Sequence, residues 1–82
     1  MDNMFELLQS NDWKERVQGE YLFIKSKTDN LKCMLENYAN DALDFKPNCT
    51  FELLMSQYNA MMSYLNILEM RMHIEKIEIF NN

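Results

Sequence analysis

Along the first half of the chain Val17, Tyr21, Ile24, Leu31, Leu35 and Tyr38 recur at alternating intervals of four and three, with Thr28 as the one polar member of the series. Such spacing keeps one stripe of a helix against one neighbour along its whole length, so it predicts a long helix packed lengthwise. A second series, Leu54, Tyr58, Met61, Leu65, Leu68 and Met72, repeats the interval over a comparable length. Between the two, Asn40 to Asn48 is rich in Asn and Asp and contains the only proline, Pro47, which supplies turn chemistry and a firm break. Two matched seams joined by a short connection predict an antiparallel helical hairpin.

The ends of these helices carry their own signals. Asp12 followed by Glu15 reads as a capping box, which starts the first long helix at Trp13. Thr50 or Asn48 is placed to cap the second. Phe45 is expected to tuck against the helix ends. Gly19, the only glycine, lies off the seam and costs the helix about 1 kcal/mol relative to alanine. Ahead of the hairpin, Met4, Phe5, Leu7 and Leu8 predict a short amphipathic helix folded over its open end. Behind it, Ile77, Ile79 and Phe80 alternate with Glu78 in a strand-like period that has no strand to pair with, so the segment reads as a frayed helix end or an oligomer contact. The expected organisation is one all-α domain over 1–82, with a short helix in 1–11, long helices over 12–40 and 50–76, a loop at 41–49 and a tail at 77–82.

Size makes such a hairpin marginal. A domain of 82 residues buries only about 60% of the surface its unfolded chain exposes, and small domains are commonly stapled by a disulfide, a metal or a second subunit. Cys33 and Cys49 belong to no CxxC pair or Cys/His cluster, and no signal peptide is read ahead of them, so both are expected to be free thiols in a reducing cytoplasm. Oligomerisation is the remaining staple. Tyr21, Leu22, Phe23 and Ile24 run consecutively and point all round the helix, and Met34, Met55, Met62 and Met70 add further apolar surface, more than two helices consume. A homo-oligomer, completing a helical bundle, is the expectation.

Charge and side-chain chemistry exclude several function classes. Thirteen acidic against eight basic residues give a net charge of −5. Lys14, Arg16, Lys25, Lys27 and Lys32 are interleaved with Glu15, Glu20, Asp29 and Glu36, so general nucleic-acid binding is disfavoured. No run approaches the roughly 18 apolar residues of a membrane span. His73, the only histidine, shares its helix face with Glu69 and Ile77, an ordinary side-chain pair rather than an activated or metal-binding group. Glycine-rich phosphate loops, Ser-His-acid sets and paired inward carboxylates are all missing from the sequence. An enzyme is not expected, nor any metal or cofactor.

One stretch stands apart. Leu53 to Leu68 contains no charged residue, although a helix there must have a face turned from the seam. Ser56, Asn59, Ser63 and Asn66 line that face, beside Gln57 and Ala60, and charge depletion of this kind marks the middle of an interface. A second copy of the chain is the first-placed occupant, a foreign protein the second and a small ligand the third. Trp13, at a helix start beside Lys14 and Arg16, is able to hold an anion or stack a base. The favoured reading is that it covers the hairpin's end near Ile77 or Phe80.

The chain also resembles a family of short helical-hairpin proteins encoded by bacteriophages and prophages, crAss-like phages of gut bacteria included. In the first helix the likeness rests on Lys14, Glu15, Arg16, Val17, Glu20, Tyr21 and Leu31. In the second it rests on Phe51, Glu52, Leu53, Leu54, Gln57, Met61, Tyr64, Leu65, Leu68, Arg71, Ile74 and Glu75. Members often carry glycine after the position of Glu75, where this chain has Lys76, and most lack the leading segment around Phe5. The resemblance implies no catalytic residue. It implies a protein that acts in the bacterial host's cytoplasm by occupying something of the host's, defence systems above all.

Two mechanisms follow from it. A protein inhibitor of a host defence effector, in the manner of anti-CRISPR proteins, needs an exposed aromatic and apolar patch with an acidic rim, for which Phe23, Tyr64 and Met70 qualify. An oligomeric sponge for a nucleotide immune signal needs polar and cationic groups converging between subunits, for which Arg71, Arg16, Asn59, Ser63 and Asn66 are available. The acidic balance places the inhibitor slightly ahead. A self-assembling structural or regulatory phage protein is the third class.

Overall fold

The computed structural model describes residues 3–79 of the chain. It is all-helical, with α1 (Asn3–Leu8), α2 (Trp13–Ala39) and α3 (Phe51–Ile74) in order, and no strand among the described residues. Asp12 starts α2 as its N-cap, its carboxylate accepting the Lys14 N–H at 3.0 Å. The reciprocal half of the capping box is filled by a different residue. The Asp12 N–H donates to Ser10 Oγ at 3.0 Å, and the Ser10 hydroxyl in turn donates to the Glu15 carboxylate. Thr50 caps α3 by accepting the Leu53 N–H at 3.1 Å.

Where α2 and α3 lie against each other, the predicted seams meet. Val17, Tyr21, Thr28 and Leu35 are buried from α2, and Leu65, Leu68 and Met72 from α3. Thr28 is accepted in this apolar setting because its hydroxyl donates to the Ile24 carbonyl at 2.7 Å within its own helix, so no polar group is left unpaired. The core is not centred, however. Its continuous cluster joins Val17 and Tyr21 to Leu65, Leu68, Met72 and Ile77, with Leu22, Ile24 and Ile79 packed against it, at the end where α2 begins and α3 finishes. Towards the loop the same seams, at Leu31, Tyr38, Leu54, Tyr58 and Met61, are only half-buried.

Both long helices end in a Schellman turn. After α3, Lys76 adopts φ 58°, the Lys76 N–H donates to the His73 carbonyl at 3.2 Å and the Ile77 N–H to the Met72 carbonyl at 2.8 Å. After α2, Asp41 adopts φ 59°, with Asp41 N–H to Tyr38 O at 3.1 Å and Ala42 N–H to Asn37 O at 2.7 Å. The first of these turns corrects the reading of the tail. Instead of fraying or reaching outward, it swings Ile77 back beneath Met72, and the Gln18 amide ties it down by donating to the Glu78 carbonyl at 3.1 Å. The expected place of Phe80 beside Trp13 lies outside the described residues.

Four further expectations change. α1 packs along α2 rather than over the hairpin's end, and Gly19 is its seat: a Cβ there would come within 2.8 Å of the Leu8 backbone nitrogen and 2.9 Å of Leu7 Cβ. The glycine is therefore a close-approach site and not merely a helix cost. Phe45 stays 56% exposed, because the loop end is closed instead by an edge-to-face contact of Tyr38 on Phe51, ring centroids 5.3 Å apart. Trp13 keeps 43% of its surface exposed, with the Lys14 ammonium 5.8 Å from its ring centroid.

Candidate functional site

The outward face of α3 carries the unusual chemistry. Facing Leu54, Tyr58, Met61, Leu65, Leu68 and Met72 towards α2 turns the residues about two positions from them outward, because each residue advances the helix by about 100°. Ser56, Asn59, Ser63 and Asn66 are all exposed there, and none of the four makes a side-chain hydrogen bond among the described residues. Tyr64 and Arg71 lie along one margin of the same face, both exposed. Asn66 and His73 lie along the other, where Asn66, Glu69, Met70, His73 and Ile74 line a shallow groove of about 500 Å³.

Sequence reasoning picked out Met70 as exposed apolar surface but not the line it forms with Ile67 and Ile74. Beyond Ser63 the exposed positions turn apolar, with Ile67 52%, Met70 60% and Ile74 73% exposed. The signal was present, since Ser56, Ala60, Ser63, Ile67, Met70 and Ile74 keep the alternating four-three spacing that defined the inner seam.

The remaining candidates do not join this face. Arg16 sits at the start of α2, where its guanidinium donates to the Ser10 carbonyl at 2.8 Å and braces the α1–α2 connection. Phe23 is on α2, 39% exposed, with the Lys27 ammonium 5.4 Å from its ring centroid. Cys33 and Cys49 are exposed and unbridged. The loop encloses a second recess of about 490 Å³, lined by Tyr38, Asp41, Leu43, Asp44, Phe45, Lys46 and Pro47. Glu69, expected to pair with His73, is instead engaged across the seam by the Tyr21 hydroxyl at 2.9 Å. Burial, that hydrogen bond and the negative charges of Glu69 and Asp29 push the Tyr21 phenol up to about 12. The only acidic residue of α3 between Leu53 and Ile74 is thus Glu69, at the rim of the groove and hydrogen-bonded to Tyr21.

No group of three or more His, Cys, Asp or Glu residues is arranged to hold a metal ion among the described residues. No helix there is long and apolar enough to cross a membrane. A family model described as Sequestin matches residues 11–74, more than three quarters of the chain, and the chain belongs to that family. No curated protein and no solved structure matches it.

Proposed function

We propose that this protein is a phage-encoded sponge: a homo-oligomer that binds a nucleotide immune signal in the cytoplasm of its bacterial host and withholds it, with no reaction of its own. The family's name, Sequestin, speaks for capture of a molecule. The observation that carries the reading to a nucleotide is the outward face of α3. In a chain of net charge −5 an anionic ligand is repelled nearly everywhere, yet here sixteen consecutive residues, Leu53 to Leu68, bear no charge. Asn59 and Asn66 offer amides with free donors and acceptors for base edges or ribose hydroxyls. Tyr64 offers a ring on which a base stacks, and Arg71 a fork for phosphate oxygens. A binder of this kind acts by stoichiometry, so it needs none of the acid-base pairs that the sequence lacks.

Native mass spectrometry of the protein purified from bacteria producing a nucleotide second messenger tests this. An oligomer carrying nucleotide-sized extra mass is expected, and heating must release the nucleotide chemically intact; a cleaved product would make the protein an enzyme. Failure to retain any nucleotide, with no binding to a panel of cyclic oligonucleotides by calorimetry, overturns the proposal. The alternative is an inhibitor of a defence effector. Its support is the acidic balance together with exposed Phe23, Tyr64 and Met70, which suit a basic protein partner, and pull-down from host extract separates it from the sponge. Assembly with neither ligand nor host partner would leave a structural phage protein.

A further inference from the structure

We propose that the outer face of α3 is covered by the same face of a second copy of this chain running antiparallel, about a two-fold axis level with Leu65. This deepens the sponge reading by naming its subunit contact, but rests on separate observations. The exposed positions Ser56, Ala60, Ser63, Ile67, Met70 and Ile74 form a second four-three seam on the side of α3 away from α2. Its first half is small and its second half is large and apolar. An isologous contact must be complementary to itself, and this seam is. One two-fold axis sets Ser56 opposite Ile74, Ala60 opposite Met70 and Ser63 opposite Ile67, so every small side chain receives a large one. A parallel pairing would stack Ile67, Met70 and Ile74 on themselves and leave a void between the serines.

The margins of the seam agree with the same axis. It places Gln57 opposite Arg71 and Tyr64 opposite its own copy on one side, and Asn59 opposite His73 and Asn66 opposite its own copy on the other. No like-charged pair arises. That matters in a chain of net charge −5, because α2, with Glu15, Glu20, Asp29 and Glu36, offers no long stretch free of carboxylates and like charges held face to face are destabilising. The groove of about 500 Å³ beside Met70 and Ile74 receives Ser56, Asn59 and Ala60 of the second copy, whose small side chains allow the two helices to approach closely. In this arrangement the face divides by task. Ser56 and Ser63 pack, whereas Tyr64 and Arg71 of both copies meet along one edge and Asn59, Asn66 and His73 of both copies meet along the other, so a ligand shared between the subunits lies at one edge of the contact and not across it.

The test uses the full chain without nucleotide, so its outcome is independent of whether the ligand proposal holds. Light scattering should report twice the 9.9 kDa chain mass at tens of micromolar, and Ser63→Glu should return a monomer of unchanged helicity. Orientation is read in a Cys33→Ser, Cys49→Ser background carrying either Ala60→Cys or Met70→Cys. A mixture of the two variants should form the mixed disulfide at least tenfold faster than either variant forms its own, because like positions are held about 15 Å apart by ten residues of helical rise. A monomeric parent chain overturns the proposal. So does a dimer in which each variant cross-links to itself as fast as the mixture does.

Discussion

The phenolic hydroxyl of Tyr21 donates to the carboxylate of Glu69 at 2.9 Å, the one side-chain hydrogen bond that crosses between α2 and α3 among the described residues. It sits on the edge of the buried cluster that Tyr21 itself helps to form. It therefore fixes the lengthwise register of the two helices with directional chemistry where the apolar seam alone would tolerate sliding by a turn.

Because the folded protein holds the Tyr21 phenol at about 12, against about 10 in an unfolded chain, its contribution to stability is complete below pH 10. It is lost as pH rises from 10 towards 12, since only the unfolded state then releases the proton. Denaturant melts across pH 9–12 should show a decline of about 1–2 kcal/mol after allowance for solvent screening. Tyr21→Phe should cost about 1 kcal/mol at neutral pH and flatten that decline. An unchanged alkaline slope in the variant would assign it to another group.

Gly19 has opposite effects in two chains. In the whole protein, Gly19→Ala should destabilise by about 1–2 kcal/mol, because the new Cβ meets the backbone of Leu8 and the close seat of α1 is lost. With the residues before Ser10 removed, the same substitution should stabilise by about 1 kcal/mol through helix propensity alone. Thermal melts of the four chains form the cycle, and a common sign in both backgrounds would mean that α1 does not rest on Gly19.

Lys76 occupies a left-handed position that glycine fills without strain. Lys76→Gly should raise stability by about 0.5–1 kcal/mol, which is a few degrees in melting temperature for a domain of this size. Asp41→Gly should gain less, because Asp tolerates that region better than Lys does. Equal or negative effects at both positions would contradict the Schellman geometry.

Thr28→Val should be neutral or stabilising by up to about 1 kcal/mol. The hydroxyl serves only the Ile24 carbonyl of its own helix, and such back-bonding contributes little. A loss beyond about 1 kcal/mol in a melt would show that Thr28 has a partner outside its helix.

The hairpin was legible because a four-three apolar period has one interpretation when two copies of it flank a proline-containing turn. The tail was not, and the reason is specific. Ile77 and Ile79 alternate like a strand, and the turn that buries Ile77 runs through Lys76, a lysine where glycine would have announced it. Gly19 was misread because a glycine inside a helix looks like a cost until the segment that needs its missing side chain is in place. Phe45 was misplaced since aromatic residues in short loops are usually anchors, whereas here Tyr38 and Phe51 already close that end. The α3 face was found by its lack of charge, which locates an interface without naming what lies on it. Met70 was read as exposed, but the line it forms with Ile67 and Ile74 went unread because Arg71 and Glu69 break the uncharged run that first drew attention.

Since the core lies where α2 begins and α3 finishes, the two ends of the hairpin have unequal lifetimes. Opening the loop end uncovers Leu35 and seams otherwise half in water, while opening the other end must release Leu68, Met72, Ile77 and the α1 seat together. Amide protons near Leu31, Tyr38 and Leu54 should therefore exchange through local opening, and those near Tyr21 and Leu68 only when the whole chain unfolds.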